Sequence, residues 1–369
     1  MNFALLLARW IIFNFGFIRY GIRAIDTSVY YGSSETVLGN ILHSLRDEFP
    51  RSSYQLVNLL FLHTSFVINS LSLSQITKCG RYGLASFDYS PVTIRKTVIQ
   101  SLERLRTDYL DAVFLHDVEF VCTPIAPRAI GNHVSSLKED AAAYGLANGD
   151  ETCVRGEGDQ KILDAYHELQ ALQREGLVRN IGITGILYLA CLRFALTVFS
   201  GYPLPMLLRL AILILYTPPY KPVDVLLSYS HLCLQNSTFL EFIPHFYERA
   251  KVGQLLAASP LSMGLLTPKP PPWHPAPPEL RKAVVDASLT WAGDFPNLAV
   301  GYSMRHITKV EKQIALVIGL STPREVHEAV KVWREVVAGS EDEERRKGEV
   351  LAQKVIINAG YLDWSWASP

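Results

Sequence analysis

The stretch "IRAIDTSVYYGSSETVLGNIL", residues 22–42, reads as a short buried strand, a turn and an amphipathic helix. Ile22, Ala24 and Ile25 supply the strand. Ser33, Ser34 and Glu35 offer cap chemistry, and Val37, Leu38 and Ile41 fall at helical spacing. The strand ends by delivering a carboxylate, Asp26, and then a phenol, Tyr31, into one loop. Taken alone the motif has a structural reading, because an Asp at a strand end often caps the next turn and a Tyr beside Gly often packs over it. The rest of the chain decides between that reading and a chemical one.

Outward from this unit the same alternation repeats. "ITKCGRYG" (76–83) precedes "SPVTIRKTVIQSLERLR" (90–106), where Ile94, Val98, Leu102 and Leu105 make one helical face. "DAVFLH" (111–116) is a buried strand, followed by a polar excursion over roughly 118–160 and the helix "ILDAYHELQALQREG", closed by Gly176. "VRNIGIT" (178–184), "VDVLLSYS" (223–230), "GQLLAASP" (253–260) and "IALVIGLS" (314–321) follow, the last leading into the helix "PREVHEAVKVWREV". Strands alternating with helices imply parallel strands and right-handed crossovers. Seven such strands point to an α/β fold, the (β/α)8 TIM barrel with one strand obscured. The chain of 369 residues leaves room for it, since such barrels take about 250. Their chemistry sits at strand C-terminal ends, which here carry Asp26 with Tyr31, Lys78 and His116. A snorkelling lysine or a rim histidine is ordinary by itself. Four titratable groups converging on neighbouring strand ends mark a candidate site.

Composition narrows the alternatives. Lys plus Arg and Asp plus Glu each number 35, so no electrostatic footprint for nucleic acid is present. The five cysteines, Cys79, Cys122, Cys153, Cys191 and Cys233, are scattered and form neither a CxxC pair nor a Cys/His cluster, which excludes a zinc motif and fits a reducing, cytoplasmic setting. No GxGxxG follows a strand, arguing against a Rossmann domain. Mean hydropathy is nevertheless positive. The apolar runs responsible are residues 1–18, 57–73, 186–200 and "MLLRLAILILY" (206–216). Each matches or falls short of the ~20 residues a spanning helix needs, Arg9 interrupts the first, and no membrane association is expected.

At this point the residues carry a resemblance. Asp26 and Tyr31 in "DTSVYYG", Lys78 in "TKCGRYG" and His116 in "FLHD" resemble the Asp–Tyr–Lys–His tetrad of the aldo-keto reductases. "SLERLRTDYLDAVFLHDVEF", "LQREGLVRNIGIT", "DVLLSYSHLCLQNSTF" and "ASPLSMGLLTPKPPPWHPAPPELR" are similar to the sugar dehydrogenases of that superfamily, of the fungal D-arabinose and the L-galactose type, across roughly residues 21–335. The resemblance implies an NAD(P)-dependent aldose 1-dehydrogenase, a monomer or homodimer, which oxidises the anomeric carbon of a small sugar to a lactone. A non-catalytic barrel or a reductase of other small aldehydes is the alternative. It also implies roles. Tyrosine, with a pKa near 10, is a poor base at neutral pH; Lys78 beside it favours the phenolate, Asp26 neutralises Lys78, and His116 orients the substrate oxygen. Cofactor contacts fall to Ser228, Ser259, Leu261, Gly264, Gly319, Ser321, Thr322, Glu325 and Glu328. Glu325 stands where NADP-preferring relatives place a basic residue against the 2′-phosphate, so NAD is expected, with NADP open through the neighbouring Arg324.

The chain also departs from the family pattern. Deleting residues 57–75 joins "SSYQL" to "ITKCGRYG", and deleting 186–201 joins "NIGITG" to "YPLPMLLRL". Both segments read as translated introns, because apolar loops of this kind are unusual on a surface, and both are expected to protrude from an otherwise regular barrel. Residues 1–20 do not resemble a first βα unit and are expected to be an atypical replacement preceding the barrel domain at 21–369.

Overall fold

The computed structural model describes residues 24–48, 50–51, 74–83, 86–185, 203–310, 312, 314–339 and 342–366. The atypical amino-terminal segment lies outside these residues, as do nearly all of the two apolar segments. Residues 74 and 75, placed in the first of them by the splice reading, form the start of strand β2 (Ser74–Cys79). Their pairing is main chain to main chain, so it does not depend on which side chains occupy those positions.

Seven strands follow one another in chain order in a parallel sheet, each separated from the next by helix wherever the intervening chain is described. This is the connectivity of the (β/α)8 class. The chain divides into two compact units.

The first unit contains β1 (Ala24–Asp26), α1 (Ser34–Ser44), β2, α2 (Pro91–Leu105), β3 (Leu110–Leu115) and most of α3 (Glu157–Arg174). The start of β4 (Val178–Gly185) and the first turns of α8 (Pro323–Ala338) also belong to it. β1 pairs with β2 through Ala24↔Ser74 to Asp26↔Ile76, and β2 with β3 through Ile76↔Ala112 to Cys79↔Leu115. All six residues of β3 are buried, as expected for a strand covered on both faces. Leu38, Ile41 and Leu42 of α1 are buried, as are Ile94, Val98, Leu102 and Leu105 of α2, the face read from their spacing. The two helices approach closely at Gly39, where a Cβ would lie 2.1 Å from the Arg104 carbonyl oxygen.

One local expectation fails. Ser33 is the N-cap of α1 but makes no side-chain capping bond, and Ser34 bonds Thr27 instead, Oγ to Oγ1 at 2.7 Å. Glu35 turns inward and is buried. It accepts from Thr77 Oγ1 at 2.5 Å and from Arg104 Nε at 2.7 Å. A carboxylate with a guanidinium and a hydroxyl within reach is better satisfied there than on the helix-start amides.

The second unit contains the excursion 117–159, the end of β4, α4 (Pro203–Leu215), β5 (Val225–Tyr229), α5 (Phe239–Glu248), β6 (Gln254–Ala258), α6 (Pro278–Ser288), α7 (Phe295–Lys309), β7 (Ala315–Val317), the end of α8 and α9 (Asp342–Asn358). β5, β6 and β7 pair in parallel register. The apolar run 206–216 is a core helix: residues 204–214 of α4 are all buried within 13 residues. Among the described residues no helix is long and apolar enough to cross a membrane. The C-terminal turn after α9 is fastened by Gln235, whose Nε2 donates to the carbonyls of Tyr361 and Trp364.

Candidate active site

Three parallel strands bring the site residues of the first unit together. Asp26 closes β1, Lys78 is the penultimate residue of β2, and His116 follows β3 directly. The ladder continues one step past the strands, with Thr27 N–H donating to Ile76 O at 3.0 Å and His116 N–H to Cys79 O at 2.9 Å. Backbone pairing therefore fixes the starting points of all three side chains. Gly80, at φ +97°, admits the ring of Tyr89 where a Cβ would lie 2.6 Å from it, and Tyr89 Oη donates to the His116 carbonyl at 2.5 Å.

Lys78 is buried, and each of its ammonium protons has an acceptor direction. Nζ donates to both Asp26 oxygens at 2.7 and 2.6 Å, to Thr27 O at 3.1 Å and to Tyr31 Oη at 3.4 Å. Burial alone would push its pKa down, but the Asp26 carboxylate and the Tyr31 oxygen overturn that and hold it above the ordinary lysine value. Lys78 is thus a fixed cation. Tyr31 differs from the rest of the cluster in remaining 43 % exposed, with its phenol oxygen against that cation. The His116 ring stands edge-on to Tyr31, centroids 6.0 Å apart and planes at 89°. Burial, then Lys78 and Arg81, hold its pKa well below the ordinary histidine value, so the ring is neutral.

The sequence reading missed three participants. Ser28, fully buried, places Oγ 3.1 Å from His116 Nδ1. Tyr30 lies edge-on to the same ring at 6.1 Å. Arg81, also buried, stacks its guanidinium 4.5 Å over the Tyr30 ring. Ser28 and Tyr30 sit in the quoted loop and Arg81 in "TKCGRYG", but nothing in their spacing reports a contact across strands.

The cofactor residues implied by the resemblance divide between the units. In the second unit, Ser228 in β5 is buried with Oγ 3.3 Å from His231 Nδ1. Ser259 follows β6 at φ +61°, and its Oγ accepts from Met263 N–H at 2.8 Å. Leu261 packs against the core formed by α6, α7 and the C-terminal turn. Ser262, Met263 and Gly264 continue at φ +49°, +59° and +86°. Such a run of left-handed backbone is costly and concentrates at ligand sites. Gly319 stands in open space, with no atom within 4 Å of a Cβ there. In the first unit, Thr322 and Glu325 form a capping box at the start of α8. Glu325 Oε2 accepts from Ser321 N–H at 2.5 Å and Thr322 N–H at 3.3 Å, and Thr322 Oγ1 accepts from Glu325 N–H at 3.2 Å. Glu328 is half-buried one turn further on.

Comparison with known proteins adds a family and relatives. The model of the aldo/keto reductase family matches residues 16–343. L-galactose dehydrogenase of Arabidopsis thaliana is 33 % identical over 333 residues, 88 % of this chain and 78 % of its own length. D-arabinose 1-dehydrogenase of Saccharomyces cerevisiae is 30 % identical over 358 residues, 95 % of this chain and 85 % of its own. Among solved structures, the aldo-keto reductase AKR11C1 from Bacillus halodurans in its holo form superposes with a TM-score of 0.54 at 16 % identity, covering 94 % of this chain and 86 % of that one. The glycerol dehydrogenase AKR11B4 from Gluconobacter oxydans gives 0.53 at 16 %, covering 96 % and 86 %. Likeness at that identity shows the fold, the (β/α)8 barrel.

Proposed function

The chain belongs to the aldo/keto reductase family of oxidoreductases, and from that premise we propose that it oxidises the anomeric carbon of an aldose, of the D-arabinose or L-galactose type, to the lactone. The observation that carries the reading is Lys78 Nζ held between the Asp26 carboxylate at 2.6–2.7 Å and Tyr31 Oη at 3.4 Å. The relatives named as sugar dehydrogenases support the substrate class.

Dehydrogenating a hydroxyl-bearing carbon removes a hydride from carbon and a proton from oxygen as the C=O bond forms. A nicotinamide dinucleotide, when bound, supplies the hydride acceptor. Tyr31 Oη takes the proton; its exposure lets a sugar hydroxyl reach it, and the fixed Lys78 cation stabilises the phenolate that must receive it. Asp26 keeps that cation from being an unpaired buried charge. Neutral His116, whose ring Tyr31 and Tyr30 flank edge-on, donates to the oxygen at the reacting carbon and sets its direction. In the reductive direction the same atoms run in reverse, with Tyr31 giving its proton.

The chain's own residues fit the dinucleotide. Within the second unit, Ser259 and then Ser262–Gly264 take left-handed backbone after β6, and Gly319 leaves open space; within the first, taken by itself, the Ser321 and Thr322 amides already receive an anionic oxygen. That oxygen belongs to Glu325, so the helix start carries a negative charge where a 2′-phosphate would compete, which supports NAD over NADP.

The test is oxidation of an aldose panel with NAD and NADP, followed by absorbance of the reduced nicotinamide and by identification of the lactone. In Tyr31→Phe turnover falls at least ~100-fold, the usual scale for a lost acid–base group, while dinucleotide binding measured by fluorescence titration is kept. Near-normal turnover in that variant would sink the assignment.

A further inference from the structure

We propose that Ser28 is a positioning residue that fixes the tautomer of His116: its hydroxyl donates to Nδ1, so the ring's single proton sits on Nε2. The inference rests on the reading of His116 as the substrate-orienting group, and it follows from a count of acceptors. Ser28 is wholly buried. Its Oγ has two polar neighbours among the described residues, the Tyr30 N–H at 3.1 Å and His116 Nδ1 at 3.1 Å. An amide N–H can only donate, so Nδ1 is the acceptor that remains for the serine proton. Were the ring proton on Nδ1, the serine O–H would be buried without an acceptor, a state disfavoured by roughly tenfold or more.

The surroundings leave the ring one proton and little freedom. Lys78 and Arg81, together with burial, keep it neutral. Tyr30 and Tyr31 stand edge-on to it at 71° and 89°, and Tyr89 holds the His116 carbonyl. Packing of this kind restricts the ring plane, but aromatic edges do not distinguish one nitrogen from the other. The serine hydroxyl does. The same three-residue run thus supplies Asp26 to the lysine and Ser28 to the histidine, with Thr27 between them giving its carbonyl to Lys78.

The tautomer can be read directly. The full chain, labelled with 15N-histidine, is examined at pH 7 by two-bond proton–nitrogen correlation, with the His116 signals assigned by their loss in His116→Gln. The expected pattern is a protonated Nε2 and an unprotonated Nδ1, retained in Ser28→Thr. Ser28→Ala redistributes the proton between the two nitrogens and lowers kcat about tenfold, a fraction of a full acid–base loss, with KM for the dinucleotide unchanged. A merely structural serine would not move the nitrogen shifts. A proton on Nδ1 in the unaltered protein, or a Ser28→Ala pattern identical to it, overturns the inference. Should Ser28→Ala fail to fold, the unaltered chain and Ser28→Thr still decide. Redistribution in Ser28→Ala of a protein without aldose turnover supports the tautomer lock and counts against the proposed activity alone. An active dehydrogenase with the proton on Nδ1 overturns the lock alone.

Discussion

Asp26 meets Lys78 at 2.6 Å in the first unit, and Asp159 meets Arg209 at 2.6 Å in the second. Both cations are buried, yet the two pairs are finished differently. Asp159 is fully enclosed and each of its oxygens accepts twice: Oδ1 from Thr123 N–H and Arg209 Nη2, Oδ2 from Arg155 N–H and Arg209 Nη1. The Arg209 guanidinium is bidentate and also reaches the Thr123 carbonyl. Every group is closed by protein, and the pair ties the excursion 117–159 to α4. Asp26 keeps 18 % of its side chain exposed, and the third neighbour of its lysine is Tyr31, a proton-bearing group facing outward. One ion pair ends in backbone and holds the fold. The other ends in a phenol that stays exposed.

The contrast makes opposite forecasts for the two cations. Arg209→Met leaves Asp159 enclosed without its counter-charge, and breaking a buried pair on one side costs about 3–5 kcal/mol. The expected result is a lowered urea midpoint with turnover per folded molecule retained. Lys78→Met should do the reverse. Asp26 can hydrate, so the urea midpoint moves little, while kcat falls at least ~100-fold with loss of the phenolate's partner. Equal stability losses in the two variants would remove the distinction drawn between the pairs.

Much of this was legible before any coordinates. Asp26 follows Ala24 and Ile25, and His116 ends the apolar run 112–115, so both are visible as polar interruptions of a buried strand. Lys78, preceded by Ser-Gln-Ile-Thr, stands out only as a lysine in a strand-like stretch. What could not be read were contacts between distant positions. Ser28 and His116 are 88 residues apart, and a serine two places after an aspartate has many local uses. Glu35 carried a sequence signal pointing the wrong way, since an acidic residue in a first turn suits a cap, and only the arrival of Arg104 from α2 turns it inward. The charged run beginning α9 lacks a strong apolar period, and Ala352 and Ile356 reach the core by packing against α6 and α7. Conversely, Thr322-x-x-Glu325 is a capping-box pattern legible in the sequence, and the two residues form that box at the start of α8.

The histidines extend the comparison to pH. His116 is neutral beside two cations, and His231 in the second unit is neutral through burial, its pKa pushed down to about 4. For His231 the unfolded chain binds a proton near pH 6.5 and the folded chain does not, so stability is complete above pH 6.5 and is lost as pH falls toward 4. At pH 5 the linkage amounts to about 2 kcal/mol. Urea midpoints at pH 7 and pH 5 should therefore show a smaller acid loss in His231→Gln than in the unaltered chain. An identical loss would mean that the His231 ring takes up its proton in the folded state as readily as in the unfolded one.

The smallest effect concerns two helix starts. α1 begins with a serine that caps nothing, whereas α8 begins with a reciprocal box in which Glu325 receives the Ser321 and Thr322 amides. Glu325→Ala should cost about 1 kcal/mol, the usual worth of a lost cap, read as a small drop in the urea midpoint. Glu325→Arg removes the same cap and reverses the charge, so it should show that stability loss together with a raised NADP-to-NAD ratio of kcat/KM. The two readouts separate the roles. If Glu325→Ala lowers stability while Glu325→Arg leaves the cofactor ratio unmoved, the carboxylate serves the helix alone, and Arg324 becomes the residue to test for the 2′-phosphate. If the ratio shifts in both variants, freeing the two amides is sufficient, and the carboxylate acts by occupying the anion position as well as by its charge.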